Sequence, residues 1–251
     1  MANNELTGKV AIVTGAGRNI GRAIALALAE GGASVLINAR GNRAEAEAVA
    51  RDIKSSGGKA LVHIGDVADA AAVQAMADMA AKHFGRLDML VNNAALRREK
   101  PFAEMDYAEW RAILDVTLDG AFHCTKACLP GLRQSGAGTI VNIGGLSAHT
   151  GAKNRAHVVT AKAGIVGFTR ALAHDLAADG ITVNCVVPGL IGMPRPKDKP
   201  EPAHHLTHQT LTGARGKPED VAAAVRFLCG PGARYITGQA IHSNGGAYVS
   251  S

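Results

Sequence analysis

VTGAGRNIGRAIALALAE, Val13–Glu30, passes from the end of an apolar run through a glycine-rich turn into an Ala- and Leu-rich helical stretch. Gly15, Gly17 and Gly21 let the backbone turn sharply and approach a ligand closely. The helix opening near Ile20 directs its free N–H groups and the positive end of its dipole at that turn. A strand, a glycine turn and a helix in this order form a cradle for a pyrophosphate. The motif has weight only if the rest of the chain supplies the sheet it belongs to.

The flanking sequence does so. Short runs that are apolar at consecutive positions recur at Lys9–Thr14, Ser34–Asn38, Ala60–Ile64, Met89–Asn93, Thr139–Ile143 and Ile181–Val187. Such runs suit strands covered on both faces. Between them lie helical stretches at Ile20–Glu30, Arg43–Lys54, Ala70–His83, Tyr107–Arg133 and Ala156–Ala173. This alternation predicts an α/β fold: a doubly wound, mainly parallel sheet of the Rossmann type, with helices on both faces. Neither an internal repeat nor a composition break divides the chain, so 1–251 is expected to form a single domain. The stretch Gly192–Thr210 holds four of the nine prolines and little apolar content. It follows a strand's carboxyl end, where open α/β sheets bind ligands, and a lid over 192–212 is expected there.

Of the 251 residues, 47% are hydrophobic and 19% charged, which excludes global disorder. No apolar run reaches the length of a membrane span, and a cytoplasmic protein is the expectation. The four cysteines, Cys124, Cys128, Cys185 and Cys229, form no C-x-x-C pair and read as buried thiols. The formal charge of +6 is spread along the chain, with Arg97, Arg98 and Lys100 as the tight cluster. Aromatic residues make up 4%, too few for base-stacking surfaces, which argues against nucleic acid as a partner. A phosphorylated small molecule suits the basic surplus better. His204, His205 and His208 lack a carboxylate or thiol placed with them, so no metal site is expected.

At this point the chain resembles the short-chain dehydrogenase/reductase family over nearly all its length. TGAGRNIG, Thr14–Gly21, is similar to the family's T-G-x-x-x-G-x-G, with Asn19 where glycine is usual; asparagine tolerates positive φ better than most residues. GDV, Gly65–Val67, matches the segment whose Asp, here Asp66, bonds adenine in the family. NNAA, Asn92–Ala95, resembles the motif that backs the cofactor. VNCVVPGLI, Val183–Ile191, resembles the segment beside the nicotinamide, and YITGQAIHSNGG, Tyr235–Gly246, resembles the C-terminal signature. The resemblance implies cofactor contacts from Gly15, Gly17, Arg18, Asn19, Ile20, Gly21, Arg40, Asp66, Val67, Asn93, Ala94, Lys162, Pro188, Gly189 and Ile191. Among subgroups, 3-oxoacyl-[acyl-carrier-protein] reductases are the loose neighbourhood. A homo-oligomer, tetramer or dimer, is implied as well.

Cofactor choice follows from charge. An acid after the second strand would accept from a ribose 2′-OH and repel a 2′-phosphate. INARGNR, Ile37–Arg43, has none: Ala39 stands where the resemblance places the NAD-selective Asp. Arg40 and Arg18 carry planar donor forks suited to a phosphate. NADP(H) is therefore expected over NAD(H).

The resemblance also implies a hydride transfer in which a Tyr handles the hydroxyl proton. A Lys four residues later lowers that Tyr's pKa, a Ser orients the substrate oxygen, and an Asn supports a relay water. Carried over by position, only the Lys remains, as Lys162. The Tyr position is Val158, the Ser position Gly145 and the Asn position Thr117. Neither Tyr107, Tyr235 nor Tyr248 has a lysine four residues on, so no shift of register restores the motif. Loss of a general acid costs about 10²–10⁴ in rate. His149, four residues after Gly145, has the side chain suited to acid–base work near neutrality. His157, Ser147 and Arg155 are further candidates in the same region. Three readings stay open: an NADP-dependent oxidoreductase acting on a carbonyl or alcohol with an altered proton donor; an inactive nucleotide-binding homologue serving as regulator or sensor; and non-redox lyase chemistry with His149 or Lys162 as base. The substrate, a small molecule, is not legible.

Overall fold

The computed structural model describes residues 4–193 and 209–249. Seven strands form one sheet: β1 (Val10–Val13), β2 (Ser34–Ala39), β3 (Ala60–Ile64), β4 (Met89–Asn92), β5 (Thr139–Ile143), β6 (Thr182–Pro188) and β7 (Ala240–Ser243). Their order is β3-β2-β1-β4-β5-β6-β7, and every pair is parallel. The helices are α1 (Asn19–Glu30), α2 (Arg43–Ser55), α3 (Ala70–Phe84), α4 (Tyr107–Leu114), α5 (Gly120–Gln134), α6 (Ser147–Thr150), α7 (Ala156–Asp175) and α8 (Pro218–Cys229).

Alternation along the strands sorts the core into two layers. Ala11, Val13, Val35 and Ile37 pack with Ile24 and Leu28 of α1, Val49 and Ile53 of α2, and Val221 and Val225 of α8. Val10, Ile12 and Leu36 face the other way, onto Val73 and Met76 of α3 and Cys124 and Cys128 of α5. Ile165 and Val166 of α7 close the second layer over Cys185 and Val187. Ile12 pairs with Leu36 on one side and Leu90 on the other, and a slip of one residue would turn both layers inside out. Three of the cysteines are buried thiols and Cys229 is half-buried; all four are free of disulfides.

The expected Tyr107–Arg133 helix is interrupted. A π-turn at Asp115–Asp119 separates α4 from α5. The Arg111 guanidinium reaches both Asp115 and Asp119 across that turn. Gly120 then lets α5 pass close to the β3–α3 loop, where a Cβ would meet Val67 Cγ2 at 2.6 Å. π-turns of this kind cluster at functional sites. Helix α7 starts at the expected Ala156 and runs two residues past the expected Ala173, to Asp175. Strand β7 and helix α8 are additions to the elements read from the sequence. Of the expected lid at 192–212, residues 194–208, with His204, His205 and His208, lie outside the described residues. Its described flanks are tied down by Gly192 N–H to Gly216 O (2.8 Å) and Thr212 N–H to Gly245 O (3.2 Å). Among the described residues no helix is long and apolar enough to cross a membrane.

Candidate functional site

β1 and β4 are neighbours, yet the chain leaves them in opposite directions, so their carboxyl ends open a crevice. The crevice is a cleft of about 540 Å³, within the range of small-molecule sites. Gly15, Gly17, Arg18, Asn19, Ile20 and Gly21 line it from the β1–α1 turn, Arg40 from the end of β2, Asp66 and Val67 from the end of β3, and Asn93 and Ala94 from the end of β4.

The glycine turn is built to be approached. Gly15 has φ of +62°, and Asn19, where glycine was the family expectation, has φ of +52°. A Cβ on Gly15 would sit 2.9 Å from Ala94 Cα, and one on Gly21 would overlap the Gly15 carbonyl oxygen. Asn93 serves the turn rather than the cavity: its Nδ2 donates to Thr14 O (2.9 Å) and Gly15 O (3.1 Å). Thr14 Oγ1 accepts from Asn93 N–H and Ala94 N–H, both at 3.0 Å. Asn38, absent from the sequence reading, fixes the other side. Its Oδ1 accepts from Gly15 N–H at 3.4 Å, and its Nδ2 donates to Gly65 O at 3.0 Å. An elongated ligand with a diphosphate at its middle fits this cradle, with the first N–H groups of α1 aimed at the phosphates.

Charge along the cleft is lopsided. Arg18, Arg40 and Arg97 line it, and among the described residues none of the three has a hydrogen-bonded or ion-paired partner for its side chain. Asp66 and Glu45 are the acids there. Asp66 is engaged locally, its Oδ1 accepting from Ala68 N–H at 3.0 Å. Sequence reading missed Arg97 as a lining residue, together with Leu96, Val116 and Met193. Arg97, Leu96 and Met193 follow the carboxyl ends of β4 and β6, where the general rule for ligand position could have found them, whereas Val116 sits on the π-turn and carried no such signal.

The structure does not bring every expected residue to the cleft. Lys162 lies behind its wall, 5% exposed, donating from Nζ to Ile143 O at 2.5 Å. Burial, reinforced by the charges of Arg97 and Arg155, pushes its pKa down to about 7, while nearby Cys185 opposes the shift. Val158, one turn earlier, is buried against Ile113 and Ala161. Among the described residues a Cβ on Gly145 would meet only the Lys162 stem, at 3.8 Å, so these residues leave space beside that stem. Thr117, on the π-turn, buries a hydroxyl with no hydrogen-bond partner among the described residues. Pro188, Gly189 and Ile191 form a bracket outside the cleft lining. Pro188 O accepts from Leu146 N–H (3.0 Å), Gly189 packs so tightly that a Cβ would lie 2.6 Å from Asn244 Cα, and Ile191 bridges to Gly216.

His149 faces elsewhere. The single turn of α6 carries its ring to His242, with centroids 4.6 Å apart, and to Tyr248, at 5.3 Å. Burial and then the charge of Arg170 lower its pKa. None of these rings lines the cleft. His157 is fully buried, with Nε2 3.6 Å from Glu109 Oε1, too long for a hydrogen bond. Ser147 is half-buried on α6, and Arg155 is buried at the start of α7.

Comparison with known proteins covers the whole of this architecture. Residues 15–248 match a family model described as enoyl-(acyl carrier protein) reductase. The 3-oxoacyl-[acyl-carrier-protein] reductase FabG of Staphylococcus aureus strain Mu50 is 41% identical over 246 residues, 96% of this chain and 98% of that protein. A 3-oxoacyl-[acyl-carrier-protein] reductase of Synechocystis sp. is 40% identical over 244 residues, 96% and 97% of the two chains. A crystal structure of a short chain dehydrogenase from Burkholderia cenocepacia J2315 in complex with NADP superposes with a TM-score of 0.90 at 36% identity, covering 97% of this chain and 99% of that one.

Proposed function

We propose, from the premise that this chain belongs to the short-chain dehydrogenase/reductase family, that it binds NADP(H) and acts as an oxidoreductase on a carbonyl or alcohol without a tyrosine proton donor. Bound in the cleft, the nicotinamide would supply the hydride acceptor or donor. In this reading Gly15, Gly17 and Gly21 would admit the diphosphate, and Asp66, on the cleft wall, would meet the adenine. Arg40 and Arg18, exposed and without acidic partners among the described residues, suit a 2′-phosphate. Relatives named as 3-oxoacyl-[acyl-carrier-protein] reductases and a neighbour holding NADP support the assignment.

The single observation that carries the altered chemistry is the wall around Lys162. A lysine retained on Ile143 O faces, one turn back, the side chain of Val158 rather than a hydroxyl, with Gly145 leaving the neighbouring space empty. Lys162 then keeps the task of orienting a ribose and holding positive charge. The proton at the reacting oxygen comes from water, because neither Val158 nor Gly145 can donate one. His149, turned to His242 and Tyr248, takes no part in this reading.

The test has two arms. Fluorescence titration should give NADPH a clear affinity and NADH a weaker one. The double variant Val158→Tyr, Gly145→Ser, assayed with 3-oxoacyl thioesters, should gain about 10²-fold or more in turnover while NADPH affinity holds. A wild-type rate already matching that of its relatives, or no gain in the variant, would overturn the altered proton route. NADPH binding with no reduction of any carbonyl would leave the nucleotide-binding homologue as the better reading, a reading favoured by the apolar burial of Val158.

A further inference from the structure

Asn38, near the carboxyl end of β2 and 2% exposed, stands between the glycine turn and the β3–α3 loop. Its Oδ1 meets the Gly15 N–H and its Nδ2 the Gly65 carbonyl. The amide therefore has a single orientation, since exchanging its two atoms would set donor against donor and acceptor against acceptor. In that orientation Nδ2 also meets the ring of His63, with Nδ1 3.5 Å away. His63 lies in register with Asn38 on β3 and is 9% exposed. Its ring is wedged beneath the loop: a Cβ on Gly65 would meet His63 Cε1 at 2.6 Å and Ala72 Cβ at 3.1 Å. Gly65 leads directly into Asp66 and Val67, and all three line the cleft, whereas His63 does not.

Asn38 Nδ2 can only donate, so the ring nitrogen facing it must offer a lone pair. That fixes His63 as the neutral tautomer protonated at Nε2. Protonation would make Nδ1 a second donor aimed at the first. Burial favours the neutral ring by lowering its pKa. His63 shares the α3 side of the sheet with Leu61, and α2 covers the other side. Arg40 follows β2, Asp66 and Asp69 lie on the β3–α3 loop, and Asp78, Lys82 and His83 lie on α3; among the described residues none of them bonds the ring.

We propose that neutral His63 is a positioning residue for the dinucleotide: through Asn38 it holds the Gly15 turn and the Gly65 loop at the spacing that admits the adenosine end, and its protonation releases that hold and weakens binding. This role rests on the cofactor reading above, because it takes the cleft wall between Gly15 and Asp66 as the seat of the cofactor.

NADP⁺ is titrated at pH about 8 and about 5 into the wild type, His63→Gln, His63→Phe, Asn38→Ala and the double variant Asn38→Ala, His63→Gln. The 2′-phosphate of the cofactor itself titrates at about pH 6, so the readout is each variant's affinity relative to the wild type at the two pH values. Thermal unfolding of each cofactor-free variant shows that it folds. His63→Gln keeps an acceptor for Asn38 and should match the wild type at the higher pH, then bind about threefold or more tighter than it at the lower. His63→Phe fills the space under Gly65 without an acceptor; it should bind about threefold more weakly than the wild type at the higher pH and lose less on acidification. Either variant alone decides the pH effect. In the Asn38→Ala background His63→Gln should change neither affinity, because the residue through which His63 acts is gone. Variants whose affinity keeps a constant ratio to the wild type at both pH values, or a His63→Gln effect that survives Asn38→Ala, would overturn the positioning role. A wild type with no affinity for NADP⁺ at the higher pH would instead remove the cofactor reading on which that role rests.

Discussion

At the amino ends of β1 and β4, Asp88 is 2% exposed and fully served: Lys9 Nζ (3.1 Å), Val10 N–H (2.9 Å), and Arg86 Nε (2.7 Å) and Nη2 (2.6 Å) all donate to it. At the carboxyl end of β5, Lys162 is 5% exposed and has the Ile143 carbonyl for company, with two arginines adding to its burden. Both are buried charges on one sheet. Desolvation alone would raise the Asp88 carboxyl, but Arg86, the Val10 amide and Lys9 outweigh it and hold the group below its ordinary range. Nothing comparable offsets the desolvation of Lys162. A buried charge with every partner in place is structure, whereas one left short of partners is a site waiting for a ligand's charge.

The contrast breaks first at Asp88. Asp88→Ala strands the Val10 amide and removes the counter-charge of two half-exposed cations, which should cost about 3 kcal/mol. Thermal unfolding would show it as a fall of about 10 °C in Tm, while NADPH affinity stays as in the wild type. Because the folded-state carboxyl sits below its unfolded value, its stabilisation is present above that value and is lost as pH falls through the folded one. The variant should therefore lose less stability than the wild type on acidification below pH about 4. Equal stability of the two at neutral pH would remove the structural half of the contrast.

Lys162 should respond with the opposite sign. Its folded-state pKa of about 7 lies below the ordinary 10.5, so between those values the unfolded chain binds more protons. The wild-type protein thus gains stability as pH rises through that window, and below it carries the full penalty. Lys162→Met removes the titration but orphans Ile143 O, so the absolute change in Tm is not the readout. The difference between variant and wild type is: it should move in the variant's favour by about 2 kcal/mol from pH 9 to pH 7 in the cofactor-free protein. A difference independent of pH would mean that Lys162 has an unseen counter-charge, and the contrast with Asp88 would vanish.

Much of this molecule is legible in its sequence. Runs such as VAIV and TIVNI are mostly apolar because helices cover both faces of the sheet, and the same fact makes them readable. The glycine turn was legible because its residues are adjacent in sequence. What stayed hidden depends on distant parts meeting. The π-turn at Asp115–Asp119 contains no proline or glycine to betray it and is held by Arg111 bridging two aspartates. The placement of His149 depends on His242 and Tyr248, each more than ninety residues away. Arg97 read as part of a surface cluster with Arg98 and Lys100, and only the docking of Lys100 on Asn154 and of Leu96 on α7 separates it from them. Strand β7 went unread because AIHS is half-buried along its length and carries no apolar run.

The smallest expected effect sharpens the contrast most, because it concerns a neutral group. Thr117 Oγ1 is buried with no hydrogen-bond partner among the described residues, next to cleft-lining Val116 on the same π-turn. The buried threonine of the β5–α7 contact behaves otherwise: Thr169 Oγ1 accepts from Asn142 Nδ2 at 2.9 Å and donates to Ile165 O at 2.8 Å. An unmade hydrogen bond in the interior costs more than the same shape without polarity. Thr117→Val should therefore raise stability by about 1 kcal/mol, a gain of about 3 °C in Tm, whereas Thr169→Val should lower it by a similar amount. If Thr117→Val instead destabilises the protein as Thr169→Val does, the hydroxyl is satisfied in solution, and the shortage of partners at the carboxyl end of the sheet is confined to its cations.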